Sequence, residues 1–459
     1  GQSAYESFQT ELPVFNHFSM VTGKMETITN SEGSSTGPMT MADWDGDGDL
    51  DLFAGGRVQS GRFPENPKSL LYRNHEGKFL PALESSQPFK NVGMVSAAIF
   101  SDLTGDPLPD LMLACDWGPL YLFENKGGQF VEVNKEIHWS DSLTSKISFN
   151  SLNKLQGWWT SLTAMDANQD GRLDLVVGNW GRNHERGDSS FQPLRIYYGV
   201  ASGPGGYPSV ESHWDQERAA FVPSRDWGTL SASLPWLNRA FKTFQTFAHA
   251  SIDEALQTIP GEFQFLEARC FESIVFLNLD STWKAIPLPE EAQMTPLFGI
   301  GIGDFNNDGM EDLVGSQNFF GVNALDSRQD AGQGLLLFGN GDGTFTASLP
   351  ATSGIAIRGE GRGLAVADFD HDGRADFIAT QHSGPTKLYR NLEQKAGLAV
   401  RLKGPSGNLQ AIGAKGRLIY ENGTKGPTRE WRLGDGYWSQ TPNRQVFGLD
   451  ASPAALEVR

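Results

Sequence analysis

Five times along this chain an apolar run breaks on an aspartate, gives way to a short polar stretch, and resumes as a second apolar run. The first runs are GPMTMADW, MVSAAIFSD, WTSLTAMD, GIGIGDF and GLAVADF; the second are LDLFAGG, PDLMLAC, LDLVVGN, EDLVGSQ and ADFIATQ. Short runs rich in branched and aromatic side chains, bounded by turn residues, predict strands. Gly-bearing turns then divide LLYRNHEGKFLPAL, LYLFENKGGQFVEV and LLLFGNGDGTFTASL into hairpins. An aromatic follows each of these turns (Phe79, Phe130, Phe345), placed to pack one unit on the next. The polar breaks begin at Asp43, Asp102, Asp166, Asp304 and Asp368, which are 59, 64, 138 and 64 residues apart. Four short strands in every ~60 residues, with no helix between units, predict the blades of a β-propeller.

The 138-residue interval has room for another blade, and LRIYYGVASGPGGYPSVESHW supplies a strand and a Gly/Pro-rich turn that lacks the carboxylates. Beyond it, apolar residues at 237, 241, 244, 247, 248, 252, 255 and 256 follow a helical period. A helical insertion is therefore expected over about 223–262, with SIVFLNLDSTWKAIPL resuming the strand pattern. Six blades are visible, and residues 1–36 could complete another. The expected fold is an all-β propeller of six or seven blades, seven favoured, over 1–392, followed by a small β domain over 396–459.

Composition sharpens this picture chiefly through charge. Of 55 acidic residues, 19 fall in five nine-residue windows beginning at the aspartates above, with two of the 37 basic ones (Arg172 and Arg374). That leaves 36 acidic against 35 basic elsewhere, so the formal charge of −18 is almost entirely a property of the windows. An acidic chain argues against nucleic acid as a partner. No stretch reaches the ~18 apolar residues of a membrane helix. Two cysteines, Cys115 and Cys270, both in apolar runs, exclude a disulfide scaffold and read as buried thiols.

The windows read DWDGDGDLD, DLTGDPLPD, DANQDGRLD, DFNNDGMED and DFDHDGRAD. Positions 1, 3, 5 and 9 carry side-chain oxygen: Asp43, Asp45, Asp47, Asp51; Asp102, Thr104, Asp106, Asp110; Asp166, Asn168, Asp170, Asp174; Asp304, Asn306, Asp308, Asp312; Asp368, Asp370, Asp372, Asp376. Position 7 (Asp49, Leu108, Arg172, Met310, Arg374) would add a backbone carbonyl. Calcium takes about six to eight oxygens, and a short loop can supply them from alternate positions. Carboxylates so crowded need a cation, and Gly at position 6 lets the chain fold back. Ligand number and loop flexibility favour Ca²⁺ over Mg²⁺, giving about five ions, the second loop departing furthest with Pro107 for Gly and Thr104 as a weaker ligand. An EF-hand is excluded. Its position-12 Glu is replaced by Ala54, Leu113, Val177, Gly315 and Ala379, and the flanks are strands. Acidic turns without an ion are the competing reading.

These units resemble the FG-GAP (VCBS-type) repeats of integrin α-subunit propellers, and most closely those of bacterial relatives of cartilage acidic protein. The residues that carry the likeness are GPMTMADWDGDGDLDLFAGGR, SLLYRN, VGMVSAAIFSDLTGDPLPDLMLACDWGPLYLFEN, GWWTSL and VVGNWGRN. The segment from GLAVRLKGPSGN to LEVR resembles the ASPIC/UnbV domain. The resemblance implies an integrin-α-like fold, calcium loops between the first two strands of a blade, secretion, and no shared enzymatic reaction. The ends of the chain look clipped, and GQSAYESFQT shows no signal peptide.

The expected function is a monomeric, extracellular, periplasmic or cell-surface scaffold that contacts a protein or glycan, with structural calcium. A polysaccharide lyase or hydrolase with its site on the propeller axis is the alternative. Trp158, Trp159 and Trp180 could stack on a sugar, though packing between blades is the simpler reading. Arg186-Gly187-Asp188 spells an adhesion tripeptide, a weak signal alone. Asn422-Gly423-Thr424 fits a sequon and equally a tight turn. The GIGIG and GEGRG runs lack the strand-to-helix context of a phosphate loop, and His138, His184, His249 and His382 form no motif.

Overall fold

A computed structural model describes residues 12–18, 23–30, 34–140, 149–184, 192–201, 206–323, 326–392 and 395–459. Each apolar run is a strand, and each polar window is the loop joining the first and second strands of an antiparallel sheet. Five such sheets follow in chain order. Blade 1 comprises Ser34–Ala42, Asp51–Gln59, Leu70–His75 and Lys78–Pro81. Blade 2 comprises Met94–Ser101, Asp110–Asp116, Leu120–Asn125 and Phe130–Val133. Blade 3 is Ser161–Met165, Asp174–Gly178, Ile274–Asn278 and Thr282–Pro287, with Glu136–Trp139 added in parallel at its outer edge. Blade 4 holds Leu297–Gly303, Asp312–Gln317, Leu335–Gly339 and Phe345–Ala347. Blade 5 has three strands, Glu360–Ala367, Asp376–His382 and Gly384–Tyr389.

Burial between blades holds the ring together. Separate apolar clusters lie between blades 1 and 2, 2 and 3, 3 and 4, and 4 and 5. Two of the three post-turn aromatics pack one blade on the next as anticipated, whereas Phe79 packs on Phe15 of the N-terminal hairpin. Phe130 of blade 2 reaches Trp44 of blade 1, with ring centroids 6.0 Å apart, and Phe345 joins the cluster shared with blade 3. The GIGIG run permits close approach. A Cβ on Gly299 would stand 2.4 Å from the Arg362 carbonyl, and one on Gly301 2.3 Å from Leu364, both in blade 5.

The all-β propeller is therefore as expected, but the count is five blades among the described residues, where six or seven were anticipated. The reason lies in blade 3. Its second and third strands pair directly, Leu175 opposite Phe276, although about 95 residues separate them in sequence. The intervening segment forms its own sheet, ordered Ala220–Pro223, Ser209–Asp215, Leu194–Ala201 and Gly261–Ala268. LRIYYG therefore belongs to this inserted sheet and to no blade of the ring, because half-buried strands look alike wherever they pack. Four short helices, Trp227–Ser233, Leu237–Ala240, Phe244–Ala248 and Ile252–Gln257, fall within the anticipated 223–262 and cover one face of it. Near the N-terminus, a hairpin of Leu12–Phe18 and Met25–Asn30 adds no blade and packs Phe15 on Tyr72 and Phe79 of blade 1.

From residue 396 the chain builds two small sheets, Leu398–Arg401 with Arg444–Phe447, and Arg429–Glu430, Lys415–Tyr420 and Pro453–Val458. They enclose a core of Leu418, Tyr420, Trp431 and Phe447. This module is no detached appendage. Its segment 432–441 runs along the propeller axis and touches the inner strand of every blade. Thr40 Oγ1 donates to the Leu433 carbonyl (2.7 Å), Trp438 Nε1 to Ser96 O (2.9 Å), and Arg432 to Ala164 O (2.8 Å). A Cβ on Gly436 would stand 2.7 Å from Ile300 O, and Leu364 N donates to Ser439 Oγ (3.0 Å).

Candidate metal loops and the module that covers them

The five loops share one backbone plan. The N–H of the position-6 glycine (Gly48, Gly171, Gly309, Gly373) donates to the position-1 aspartate at 2.8–3.2 Å, and each of these glycines has φ between 81° and 95°. In loop 2 that residue is Pro107, which has no N–H, and Gly105 N serves Asp102 instead at 2.7 Å. The position-7 residues (Asp49, Leu108, Arg172, Met310, Arg374) enter through their N–H, which donates to position 5 (Asp47, Asp106, Asp170, Asp308, Asp372).

The position-9 aspartates have a role the sequence pattern did not disclose. One oxygen of Asp174 accepts Ala167 N of its own loop (2.9 Å), and the other accepts Asn278 N at the end of the third strand (2.7 Å). Asp51, Asp110, Asp312 and Asp376 likewise accept the N–H of Asn74, Asn125, Gly339 and Asn391. These asparagines extend the tie to the preceding blade. Asn125 donates to Trp44 O, Asn278 to Leu103 O, and Asn391 to Phe305 O, at 2.8–2.9 Å. The recurring Asn at the end of the third strand, in LYRN, FEN, FLN and LYRN, is the signal that could have found them.

The loops differ in how nearly they form a cation site. In loop 1, Asp43, Asp45 and Asp51 bring carboxylate oxygens within 4.8 Å of one another, and Asp368, Asp370 and Asp376 do so in loop 5. Asp51 Oδ2, Asp166 Oδ1 and Asp368 Oδ1 are buried with no hydrogen-bond partner among the described residues. Burial above all, with the neighbouring carboxylates adding to it, pushes Asp51 up to about 7 against the backbone N–H that lowers it. Burial likewise raises Asp166 to about 7, Asp174 and Asp312 to about 8, and Asp110 and Asp304 to about 6. Orphaned oxygens in crowded, desolvated carboxylate loops fit a hard cation. In loops 3 and 4, the Asn168 and Asn306 amides donate to Asp170 and Asp308, at 3.3 and 2.8 Å. Loop 2 has found another cation. Lys415 Nζ lies 2.8 Å from both Asp102 Oδ2 and Asp102 O, and Thr104 Oγ1 donates to Asp110.

Lys415 belongs to the C-terminal module, and the module meets all five loops. Gly407 packs so closely on loop 1 that a Cβ would stand 2.1 Å from Gly48 O. On loop 3, Thr428 N donates to Asp166 Oδ2 (2.8 Å). On loop 4, Gly448 has no room for a Cβ beside Asp304, and Arg429 pairs with buried Glu311 at 2.6 Å. On loop 5, Gly397 N donates to Gly373 O (2.7 Å), and Arg444 lies 3.3 Å from Asp368. Residues 396–459 hold nine basic and five acidic residues, a sign opposite to the loops they cover.

Among the other sequence candidates, Trp159 is buried in the core between blades 2 and 3. Trp158 and Trp180 instead stack on each other at the opposite mouth of the ring, 3.9 Å apart and nearly parallel. Cys115 and Cys270 are buried free thiols. Asn422 caps its own turn, accepting Thr424 N at 2.9 Å. Arg186-Gly187-Asp188 lies outside the described residues. Among the described residues, no helix is long and apolar enough to cross a membrane.

Comparison with known proteins finds FG-GAP-like repeats at residues 102–177 and 304–379, each span running from one acidic loop past the next. No curated protein matches the chain. Among solved structures, the chain is similar to BBS1N crystallised in complex with ARL6DN (9% identity, 86% of this chain and 93% of that one, TM-score 0.30). It is also similar to the V. cholerae biofilm matrix protein Bap1 (12% identity, 94% and 80%, TM-score 0.31).

Proposed function

We propose that this protein is a secreted or surface-exposed propeller scaffold for protein or glycan recognition, and that its acidic loops hold structural calcium. The observation that carries this reading is the covering of all five loops by the C-terminal module. Loops turned against the protein's own module are placed to clamp blades and dock that module, leaving recognition to the opposite face and the insertion. Calcium would be held by Asp43, Asp45 and Asp51 in loop 1 and by Asp368, Asp370 and Asp376 in loop 5. Loops 3 and 4 would join them once Asn168 and Asn306 present their amide oxygens. When bound, the ion supplies charge neutralisation for carboxylates that burial otherwise forces toward protonation. In loop 2 the Lys415 ammonium takes that part. We assign the module to the ASPIC/UnbV type on the residues quoted above.

The test is unfolding with and without calcium. At ~10⁻⁴–10⁻³ M affinity, typical of extracellular modules, 1 mM calcium stabilises each site by about 0.4–1.4 kcal/mol. Unfolding in EGTA should therefore occur at lower temperature and lower urea concentration, with magnesium a poor substitute. Identical curves in calcium and EGTA would overturn the metal assignment.

A further inference from the structure

On the face opposite the acidic loops, the ring opens into a cavity of about 430 Å³. Its wall is a continuous train of rings. Trp117 meets Trp158 at 4.7 Å, Trp158 stacks on Trp180, and Trp180 meets Phe319 at 5.0 Å. Across the cavity, the axial segment presents Tyr437 and Trp438, stacked at 5.3 Å, and Tyr437 abuts Phe298 at 5.1 Å. The inserted sheet braces this wall, because Leu194, Ile196 and Phe271 pack behind Trp117, Trp158 and Trp180. So many aromatics at one mouth of a channel exceed what closing the ring requires.

Three charged residues line the cavity, Arg57, Asp116 and Arg362, and each has an opposite partner, though Glu360, the partner of Arg362, is not itself in the lining. Arg57 is bonded to Asp116, and Arg362 to Glu360 while lying 4.2 Å over the Phe298 ring. With Glu360 counted the four groups sum to zero and both guanidinium groups are already paired, which disfavours a phosphate, a sulfate or a bare cation as the natural occupant. Yet one strong acceptor is unused. Asp116 is 94% buried, lines the cavity, and its Oδ1 has no hydrogen-bond partner among the described residues. A buried carboxylate oxygen of this kind calls for a hydroxyl or N–H donor. The occupant must then combine apolar faces for the indoles with hydroxyl donors for Asp116, and carry no net charge. Cavities of this volume take small molecules or the end of a chain.

We propose that this funnel is a carbohydrate site for a neutral pyranose, stacked on the Trp158–Trp180 and Tyr437–Trp438 platforms with a hydroxyl donated to Asp116 Oδ1. It rests on the reading of the propeller as a recognition scaffold, but not on the calcium assignment. A single sugar or a disaccharide should bind with Kd of about 10⁻⁵–10⁻³ M, the range open to ligands of that size.

The experiment is titration of intrinsic tryptophan fluorescence in the full chain with calcium present. The probes are neutral oligosaccharides built on glucose, galactose, mannose or N-acetylglucosamine, set beside galacturonate oligomers, choline and adenosine. A saturable change with at least one neutral saccharide is expected. Asp116→Asn, which keeps the shape but replaces the acceptor, should weaken it about tenfold or more. Trp438→Ala removes a 44% exposed ring and should weaken it similarly, with the fold checked by the melting temperature because the bond from Trp438 Nε1 to Ser96 O is lost as well. Binding confined to the charged probes or to adenosine would overturn the proposal, as would variants that stay folded and bind like the wild type. Failure of every neutral saccharide, in a protein that calcium still stabilises, would remove this site and leave the metal reading standing. Sugar binding sensitive to Trp438, in a protein indifferent to EGTA, would do the reverse.

Discussion

Removing Arg429 should loosen the joint between the C-terminal module and the ring, and the structure allows the size of the effect to be worked out. Arg429 Nε lies 2.6 Å from Glu311 Oε1, with the two side chains 8% and 1% exposed. The guanidinium also bonds the Val446 carbonyl and sits 4.9 Å over the Phe447 ring. Glu311 Oε2 has no hydrogen-bond partner among the described residues, so Arg429 carries most of that carboxylate's compensation. Burial raises the Glu311 carboxyl and Arg429 opposes the rise. Arg429→Ala therefore strands a buried charge, at a cost of about 3–5 kcal/mol. Replacing both members by apolar residues of similar volume, Glu311→Leu with Arg429→Met, removes the stranded charge along with the pair. That double variant should lie near the wild type or above it. Equilibrium urea unfolding at pH 8 with calcium present reads both, and the penalty of Arg429→Ala should shrink at pH 5 as Glu311 takes up a proton. A single variant within about 1 kcal/mol of wild type would refute the reasoning, as would a double variant no better than the single.

The loops should make stability depend on pH in opposite senses with and without metal. Burial pushes Asp51, Asp174 and Asp312 up to about 7, 8 and 8 in the metal-free fold, against 3.8 for an ordinary aspartate. Their protonated forms favour folding below the unfolded value, and that contribution is lost as pH rises through the folded ones. Melting in EGTA should therefore be higher at pH 5 than at pH 8, with calcium reversing or flattening the trend; a pH-independent melt in EGTA would contradict it. Asn125→Ala deletes donors to Trp44 O and Pro109 O and an acceptor for Gly128 N, and should cost about 2–4 kcal/mol in urea unfolding. Lys415→Met should leave the loop-2 carboxylates without their cation and lower stability, and calcium titration by calorimetry should show whether the emptied loop gains an ion.

Much of this architecture was legible because its units are local. Strand, acidic loop and strand lie within about 25 residues of one another, so alternation and aspartate spacing are visible without tertiary knowledge. What escaped was long-range. The number of blades turned on whether Leu175 pairs with Phe276 across the insertion, and no periodicity records a partner that distant. The position-9 aspartates looked like metal ligands alone because they also accept N–H groups, some from their own loop and some from the distant end of the third strand. Trp158 and Trp180 stood out in the sequence together with Trp159, but Tyr437 and Trp438, from a different domain by sequence, supply the facing platform.

The axial segment also helps to hold together the five blades found among the described residues. Among the described residues, apolar clusters seal four junctions, between successive blades from 1 to 5, and none spans the first and last blades. Segment 432–441 bonds inner strands of both, through Thr40 on one side and Leu364 on the other, so the module acts as an axle. Its position on the acidic face then has a consequence for metal. A loop that took a cation would stop repelling its own carboxylates and would stiffen the surface against which Thr428, Gly448 and Gly397 are docked. If the loops take cations as proposed, ion binding and module docking would be on this geometry one linked equilibrium, and the aromatic face, floored by Tyr437 and Trp438 of the same segment, would inherit its shape from it.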